Sequence, residues 1–212
     1  MYLNRVPKIA RSFFPPGIWE MDYDQTKPSI YITFDDGPHT VATPFVLEEL
    51  KKFNAKGTFF CLGKNVETEP LLYNQILNEG HAVGNHTYDH PRLKDVSAEA
   101  YIQNVEKAKE WVNSNLFRPP YGRLSRKVGN KLIEQGFDIV YWSILSADFD
   151  TKLDPKDCLE KLIFDVKPGD IVVFHDSEKA FPRLEYVLPR FLNFVHKQGW
   201  TAEALAYKKN EE

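Results

Sequence analysis

The sequence predicts an α/β fold in the form of a distorted or incomplete (β/α) barrel of about seven strand–helix units. The first observation behind this prediction is that short apolar, β-branched runs alternate with stretches of helical periodicity along the 212 residues. The second is that the connections are short, and such alternation implies parallel strands covered by helices. An open doubly wound sheet is the competing architecture. In both, reactive side chains gather at the carboxyl ends of the strands.

The predicted strands are apolar runs, such as SIYITF and DIVVF, that end at polar residues. They cover residues 29–34, 57–62, 81–84, a short stretch leading into Arg118, 138–144, 170–174 and 200–204. The predicted helices cover residues 43–53, 70–78, 97–113, 125–135, 155–164 and 184–198. Ser97 is the expected N-cap of the third helix, while Gly136 and Gly199 end the fourth and the last.

Composition limits the class of function. The net charge of −3 argues against a broad basic surface, so nucleic acid is not a predicted partner. Both cysteines, Cys61 and Cys158, lie in apolar surroundings and predict buried free thiols, because a single pair is no disulfide framework. The oligomeric state stays open.

The first 28 residues are predicted to be an extension packed on a catalytic domain of residues 29–207. Packing of residues 7–19 is favoured over weak anchoring at a membrane surface, because the Pro-Pro-Gly at 15–17 breaks any helix. The start lacks the basic and apolar regions of a signal peptide, and no stretch approaches the roughly 20 apolar residues of a membrane span. As written, the chain predicts no integral membrane segment and a cytoplasmic location, with action at the cell envelope also open.

Two carboxylates and two histidines follow predicted strands. Asp35 and Asp36 come directly after the first strand, where they can serve neighbouring tasks because successive side chains point to opposite sides. A solvated turn is the alternative. His86 and His90 follow the third strand and share a face if this segment is helical. Two imidazoles with one carboxylate form a familiar catalytic zinc set that leaves a position for water.

Two further candidates also follow strands. Arg118 is always charged and can hold a carboxylate in place, although a surface arginine on a rigid loop is the alternative. His175 directly follows a buried strand and has an ordinary pKa near neutrality, although a structural histidine is equally compatible. Of the other histidines, His39 is expected to line the cleft, His81 to start a strand and His196 to lie on a helix surface.

These motifs, in this order, resemble those of the polysaccharide deacetylase family, the NodB-homology domain. They are TFDDG at 33–37, HTYDH at 86–90, RPPY at 118–121 and IVVFHD at 171–176. The resemblance implies a distorted α/β barrel and one divalent metal ion, usually zinc. It implies Asp36, His86 and His90 as the metal ligands.

The resemblance also implies catalytic roles. Asp35 would be the general base for a water molecule, and Arg118 would orient it. His175 would be the general acid for the leaving amine. The backbone N–H of Tyr121 would help to hold the oxyanion.

One motif departs from the family pattern. The family often has an Asp shortly after a Trp, which tunes the catalytic histidine, followed by a second Asp and a further Trp. Here Leu145 occupies the position of the first Asp, Asp148 matches the second, and Phe149 replaces the Trp. A leucine cannot pair with an imidazolium, so Asp148 becomes the candidate partner of His175.

The resulting prediction is a metal-dependent deacetylase with an acetylated glycan as its substrate, acting on the N-acetyl groups of peptidoglycan or a chitin-like chain. An O-acetyl esterase or a non-sugar amide hydrolase with the same metal site is the alternative within enzymes. A catalytically silent sugar-binding domain is the alternative outside them. The simultaneous presence of Asp35, the metal set and His175 argues against a silent domain.

Overall fold

A curled sheet of parallel strands lies at the centre of the fold in the computed structural model, which describes residues 4–205. The first three residues of the predicted extension and the last two of the predicted catalytic domain therefore lie outside the described range. The strands are β1 (Ser29–Asp35), β2 (Thr58–Cys61), β3 (Ala82–Asn85), β4 (Leu116–Phe117), β5 (Asp138–Ile139), β6 (Ile144–Leu145), β7 (Ile171–His175) and β8 (Thr201–Glu203).

The strand order identifies an incomplete barrel. The order is β5-β4-β3-β2-β1-β7-β6, with β8 pairing with the start of β1, and every ladder is parallel. Read as a circle, this order follows the chain, and the circle is interrupted between β5 and β6. The predicted distorted barrel is confirmed, because a doubly wound sheet would reverse its strand order at an internal switch point.

Helices cover the outside of the sheet. They are α1 (Lys8–Arg11), α2 (Ala42–Lys52), α3 (Gly63–Thr68), α4 (Pro70–Asn78), α5 (Ala98–Lys109), α6 (Arg126–Glu134), α7 (Pro155–Asp165) and α8 (Phe181–Lys197). No helix within residues 4–205 is long and apolar enough to cross a membrane.

The alternation of side chains along β1 creates two separate cores. Ile30, Ile32 and Phe34 point outward into the large cluster formed with α2, α4, α7 and α8. Tyr31 belongs to a smaller cluster inside the barrel, together with Phe60. Complete burial of a side chain such as Phe34 contributes about 1.5–3 kcal/mol, so the outer cluster is the main source of stability.

The segment before β1 lies against the interruption of the barrel. Ile18 forms a bridge with Val140, which follows β5, and Arg5 forms a bridge with Ile144 in β6. The Trp19 ring stacks on another residue between these strands, Tyr141, with ring centroids 4.2 Å apart. These contacts support the proposal that residues 1–28 form an extension packed on a domain of residues 29–207.

Several predicted elements differ from those of the structure, and the predicted strand 138–144 shows why. Its first part pairs with β4, whereas its last part pairs with β7 at the other end of the sheet. Between them the Tyr141 N–H donates to Ile18 O, so the run splits into β5 and β6 as it changes partners. A period-2 apolar pattern does not reveal such a change.

The remaining differences concern helices. The short helix α3 escaped prediction because Val66 is its one buried apolar side chain, which gives no periodicity. Helix α5 ends at Lys109, before the predicted residue 113, and α8 begins at Phe181, before the predicted residue 184. Pro182 in the first turn of α8 suits a helix start because its fixed φ is already helical.

Both cysteines are buried and free, as predicted. Burial raises the pKa of the Cys158 thiol to about 11. A thiol of this kind stays protonated and unreactive at neutral pH.

Candidate active site

Three predicted metal ligands converge at the carboxyl ends of β1 and β3. Asp36 Oδ1 lies 3.4 Å from His90 Nε2 and 3.7 Å from His86 Nε2. One ligand atom from each of the three residues lies within 4.8 Å of the others. The two nitrogens and the oxygen therefore face a common point, which we call the triad centre.

The sequence predicted a shared face for the two histidines if their segment were helical. They reach the triad centre from a loop instead. Residues 86–92 form an irregular loop, in which Thr87 and His90 have positive φ angles of 70° and 64°. The His90 N–H donates to Thr87 Oγ1 over 3.0 Å, which closes the turn. Non-glycine residues with positive φ are uncommon and cluster at functional sites, where surrounding contacts maintain the strain. The two rings of the i, i+4 pair do come together, but through a strained turn and not on a helical face.

Hydrogen bonding fixes the form of His86. Its Nδ1 lies 2.8 Å from the carbonyl oxygen of Arg118, and a carbonyl only accepts, so Nδ1 carries the proton. In this tautomer of the neutral ring, Nε2 presents a lone pair to the triad centre. An outer hydrogen bond of this kind is the usual orienting contact of a metal-binding histidine.

His90 is held neutral by its surroundings. Burial and the neighbouring His86 together lower its pKa to about 4. The Tyr121 ring packs against the His90 ring at a centroid distance of 4.6 Å. Neutral imidazole is the form that binds metal, so His90 is ready to act as a ligand at neutral pH.

The residues fit a divalent cation. Among residues 4–205, Asp36 Oδ1 is buried without a hydrogen-bond partner, and it is the oxygen that both histidines approach. An unpaired buried carboxylate oxygen is costly, and a cation compensates for it. Asp36 also has a positive φ of 79°, and Asn65 Nδ2 fixes its backbone by donating to Asp36 O over 2.7 Å. One carboxylate and two imidazoles are a donor set that suits zinc.

Asp35 points to the inner face of β1 and meets Arg118 there. Arg118 is fully buried, and its Nη1 donates to Asp35 Oδ1 over 2.7 Å and to Thr33 Oγ1 over 2.6 Å. Carbonyl oxygens of Val140 and Tyr141 accept from the rest of the guanidinium. Burial alone would raise the pKa of Asp35, but the Arg118 charge and hydrogen bond, together with the nearby His86 and His175, outweigh burial and lower it. Asp35 is thus an ionised carboxylate whose orientation is fixed.

His175 lies beside Asp35, because these residues are in register on the adjacent strands β7 and β1. Asp148, itself fully buried, accepts from the His175 ring at Nδ1 over 2.8 Å and from the His175 backbone N–H over 2.7 Å. Burial alone would lower the pKa of His175, but the charge and hydrogen bond of Asp148, together with the nearby Asp36 and Asp35, outweigh burial and raise it to about 9. The imidazolium is therefore the dominant form at neutral pH.

The contact between Asp148 and His175 compensates for Leu145, which occupies the position of the first Asp in the family motif. Leu145 is in register with Val173 and contributes no charge to His175. Asp148 approaches from the loop after β6, where Ala147 has a positive φ of 64°. The Arg183 Nε donates to Asp148 O over 2.6 Å and fixes the backbone of this loop.

Sequence reasoning missed Asp176, the residue after His175. This buried carboxyl accepts from the Gly37 N–H over 3.1 Å and from Thr43 Oγ1 over 2.5 Å. It therefore joins β7 to the turn that follows Asp36, and a Cβ on Gly37 would collide with it at 2.1 Å. Burial raises the pKa of Asp176 to about 8. Its position directly after His175 in the motif was the available signal.

The other histidines lie near their predicted places, with one difference. His81 precedes β3, and His196 is exposed on α8, as expected. His39, expected to line the cleft, places its Nδ1 at the start of α2, where it accepts from the Val41 and Ala42 N–H groups. Histidine is an uncommon cap, which is why the sequence did not suggest this role.

Tyr121 connects the triad to the surface. It has a positive φ of 59°, and half of its surface is exposed. Its ring contacts His90 and also the Arg92 guanidinium, which lies 4.8 Å from the ring centroid. The predicted residues Asp35, Asp36, His86, His90, Arg118, Tyr121, Asp148 and His175 are thus linked by direct contacts at one end of the barrel.

Comparison with known proteins identifies deacetylases that are similar to this chain. A family model for polysaccharide deacetylase matches residues 22–140. Two curated peptidoglycan-N-acetylglucosamine deacetylases from Bacillus cereus are similar: one is 36% identical over 81% of this chain and 62% of its own length, the other 33% identical over 94% and 99%. A chitooligosaccharide deacetylase from Azorhizobium caulinodans is 35% identical over 72% of this chain and 76% of its own length.

A solved structure shares the fold. The crystal structure of a peptidoglycan N-acetylglucosamine deacetylase, in complex with 4-naphthalen-1-yl-N-oxidanyl-benzamide, aligns with a TM-score of 0.82 and 30% identity. The alignment covers 89% of this chain and 90% of that one. With the family model matching more than half of the chain and one relative matching along nearly its full length, the chain belongs to the polysaccharide deacetylase family.

Proposed function

We propose that the protein is a metal-dependent deacetylase that hydrolyses the N-acetyl group of N-acetylated sugars in a polysaccharide or oligosaccharide, such as peptidoglycan or a chitin-like chain. The observation that carries the proposal is that a base and an acid, each held by a partner of opposite charge, lie beside the triad centre. A carboxylate fixed by Arg118 and an imidazolium fixed by Asp148 lie in register on adjacent strands beside the candidate metal ligands.

Asp36, His86 and His90 would hold one divalent cation, with zinc the ion that best suits the donor set. When bound there, such an ion would polarise the amide carbonyl and lower the pKa of a water molecule. The cation would also give the unpaired, buried Asp36 Oδ1 a partner. The residues of the chain would supply the proton transfers and the orientation.

Asp35 would take a proton from the attacking water. A general base must be ionised and correctly aimed, and Arg118 provides both conditions, because it lowers the pKa of Asp35 and fixes one carboxylate oxygen. The other oxygen, Oδ2, lies 4.0 Å from His86 Nε2 and so faces the triad centre. The Tyr121 N–H would stabilise the developing oxyanion, a contribution of about 3–4 kcal/mol for a well-placed donor.

His175 would donate the proton that lets the amine leave. Its Nδ1 is engaged by Asp148, which leaves Nε2 as the donor. An amine leaves poorly as an anion and depends on protonation, whereas the alcohol of an ester is a better leaving group. The raised pKa of His175, about 9, therefore favours amide hydrolysis over the O-acetyl esterase alternative.

A silent sugar-binding domain is the least supported alternative. Burying both Asp35 with Arg118 and Asp148 with His175 incurs desolvation free energy that sugar binding does not require. The peptidoglycan and chitooligosaccharide relatives support an acetylated glycan as the substrate, and for a peptidoglycan substrate the site of action would be the cell envelope.

The test is release of acetate from a panel of acetylated glycans by the zinc-loaded protein. We expect release from N-acetylglucosamine oligomers or peptidoglycan fragments and loss of release after chelation of the metal. Release from O-acetylated glycans alone would select the esterase. Binding of glycans by fully zinc-loaded protein, with no release from any panel member, would select the silent domain.

A further inference from the structure

A pocket adjoins the candidate active site and shares Tyr121 with it. Its volume is about 700 Å³, within the roughly 300–1,000 Å³ that is typical of small-molecule sites. Tyr121 contacts His90 of the triad with its ring and also lines the pocket. A substrate whose acetamide lies at the triad centre can therefore extend past Tyr121 into this space.

The charge of the pocket is positive, although the chain as a whole is acidic. Arg92, Lys94 and Arg123 line it, and its lining contains no carboxylate. We call it the cationic pocket after these three residues. Asp95 lies 3.8 Å from Lys94 and also acts on the charge of Arg92, but the lining residues still carry three positive charges. Helix α6 begins beside the pocket without an acidic residue in its first turn, so its dipole adds positive potential.

Aromatic surfaces complete the walls. Tyr121 is 50% exposed and Phe13 is 79% exposed, so both present flat apolar faces to an incoming ligand. Phe14 anchors this part of the chain by packing edge-on against Trp19 and Tyr141, at centroid distances of 5.2 and 5.6 Å. Phe13 and Phe14 precede residues 22–140, so this wall lies outside the stretch that the family model matches.

We propose that the cationic pocket binds a carboxylate carried by the unit next to the N-acetylated sugar, so that the protein prefers an anionic acetylated glycan to a neutral one. The inference rests on the proposed function and narrows its substrate class. Arginine matches the fork geometry of a carboxylate and forms charge-assisted hydrogen bonds with it. A neutral glycan would stack on the same aromatic faces but would gain nothing from Arg92 and Arg123.

Binding is the direct test, with the zinc-loaded Asp35→Asn variant so that turnover does not interfere. The probe is a disaccharide of N-acetylglucosamine and N-acetylmuramic acid, compared with the same disaccharide whose lactyl carboxylate has been converted to the carboxamide. We expect the acid to bind about tenfold more tightly at low salt, with the preference shrinking as salt is added. A second pair carries a short stem peptide with free or amidated carboxylates and identifies the source of the anion.

Two further variants assign the preference to the pocket. Combining Arg92→Gln with Arg123→Gln should abolish the preference for the acid. Arg190→Gln is the matched control, because Arg190 is an exposed arginine over a tyrosine ring, at 3.8 Å from the Tyr186 centroid, and lies outside the lining of the pocket. That control should keep the preference.

The same variants are compared by the ratio of kcat/KM for the acidic disaccharide to kcat/KM for a neutral chitooligosaccharide. The ratio should fall about tenfold in the double variant and stay constant in Arg190→Gln. Equal affinity for acid and carboxamide in both probe pairs would overturn the inference. If the wild-type protein releases no acetate, the proposed function fails, while the binding comparison still decides the nature of the pocket.

Discussion

Two carboxylates of the candidate active site, Asp35 and Asp148, are each paired with a group of opposite charge. Asp148 accepts from two donors of one residue, the ring and the backbone N–H of His175, so ring position and protonation are fixed together. Asp35 is fixed in the same way by a fully buried arginine. Each pair combines a charge with a hydrogen bond, and these together with the neighbouring charges overcome the effect of burial on the pKa.

Replacing Asp35 tests the assignment of the base. Asp35→Asn should retain the metal and lower kcat by about 10²- to 10⁴-fold, because an amide does not accept the proton of the water. Metal content by elemental analysis and single-turnover acetate release measure the two effects. Asp89→Asn is the matched control, since Asp89 lies in the same cleft motif but is exposed and bound to Asn104. Activity near the wild-type level in Asp35→Asn would transfer the role of base to another residue.

Replacing Asp148 tests the tuning of the acid. Asp148 raises the pKa of His175 to about 9, so Asp148→Asn should lower that pKa. The protonated imidazole is the working form of the acid and is lost above its pKa. The alkaline limb of the pH dependence of kcat/KM should therefore move to lower pH, while the acidic limb stays in place. An unmoved alkaline limb would contradict the assignment.

At this scale the sequence identifies residue types better than their partners. Asp35, Asp36, His86, His90 and His175 were identified from their positions after predicted strands and from the family motifs. The contacts of Asp176 with Gly37 and Thr43 were out of reach, because they join residues more than 130 positions apart.

The segment before β1 has little regular secondary structure, and it contacts residues far along the chain. Arg5 forms an ion pair with Asp170, which is fully buried and also accepts from Ser143 Oγ. Another Arg5 donor is directed to the Asp165 carbonyl at the end of α7. Through Arg5, the segment before β1 is thus joined to the end of α7 and to the residue that precedes β7.

Removing this connection should destabilise the fold. Arg5→Ala leaves Asp170 buried without its cation and should lower the free energy of unfolding by about 2–3 kcal/mol. Lys8→Ala, a basic residue of the same segment in an exposed pair with Glu20, should change it by less than about 0.5 kcal/mol. Urea unfolding measures both. Equal effects of the two substitutions would show that the Arg5 contact does not hold the segment.

Strands and helices were predicted where periodicity is unambiguous, as in β1, β7 and α4. The turn that carries His86 and His90 was not, because positive φ angles at Thr87 and His90 are imposed by their surroundings and leave no local signature. The division of residues 138–144 depended on which strands they meet, which is a property of the whole sheet.

For the molecule as a whole, binding of the proposed cation would be coupled to folding. The candidate ligands come from the ends of two strands and meet only in the folded state. A ligand that binds the folded chain alone stabilises it according to its concentration relative to Kd. The proposed cation is therefore also a stabiliser of the barrel.

Zinc should raise the melting temperature of the metal-free protein. With free zinc at about 100 times Kd, the expected gain of about 2.7 kcal/mol corresponds to a shift of about 5–10 °C. His90→Ala should lose this shift, whereas His196→Ala, an exposed histidine of α8, should keep it. Thermal unfolding with and without chelator measures the effect. A zinc-dependent shift that survives in His90→Ala would place the metal elsewhere.

The interruption of the barrel between β5 and β6 has a consequence for synthesis on the ribosome. The residues that close it are made before the strands that they join, and Arg5 meets its partner Asp170 only 165 residues later. At about 5–20 residues per second, translation leaves the closing segment waiting for roughly ten to thirty seconds. During that interval the edges of the nascent sheet are unpaired and available to other chains. Slower translation would prolong this exposure, so aggregation of nascent chains should depend on elongation rate.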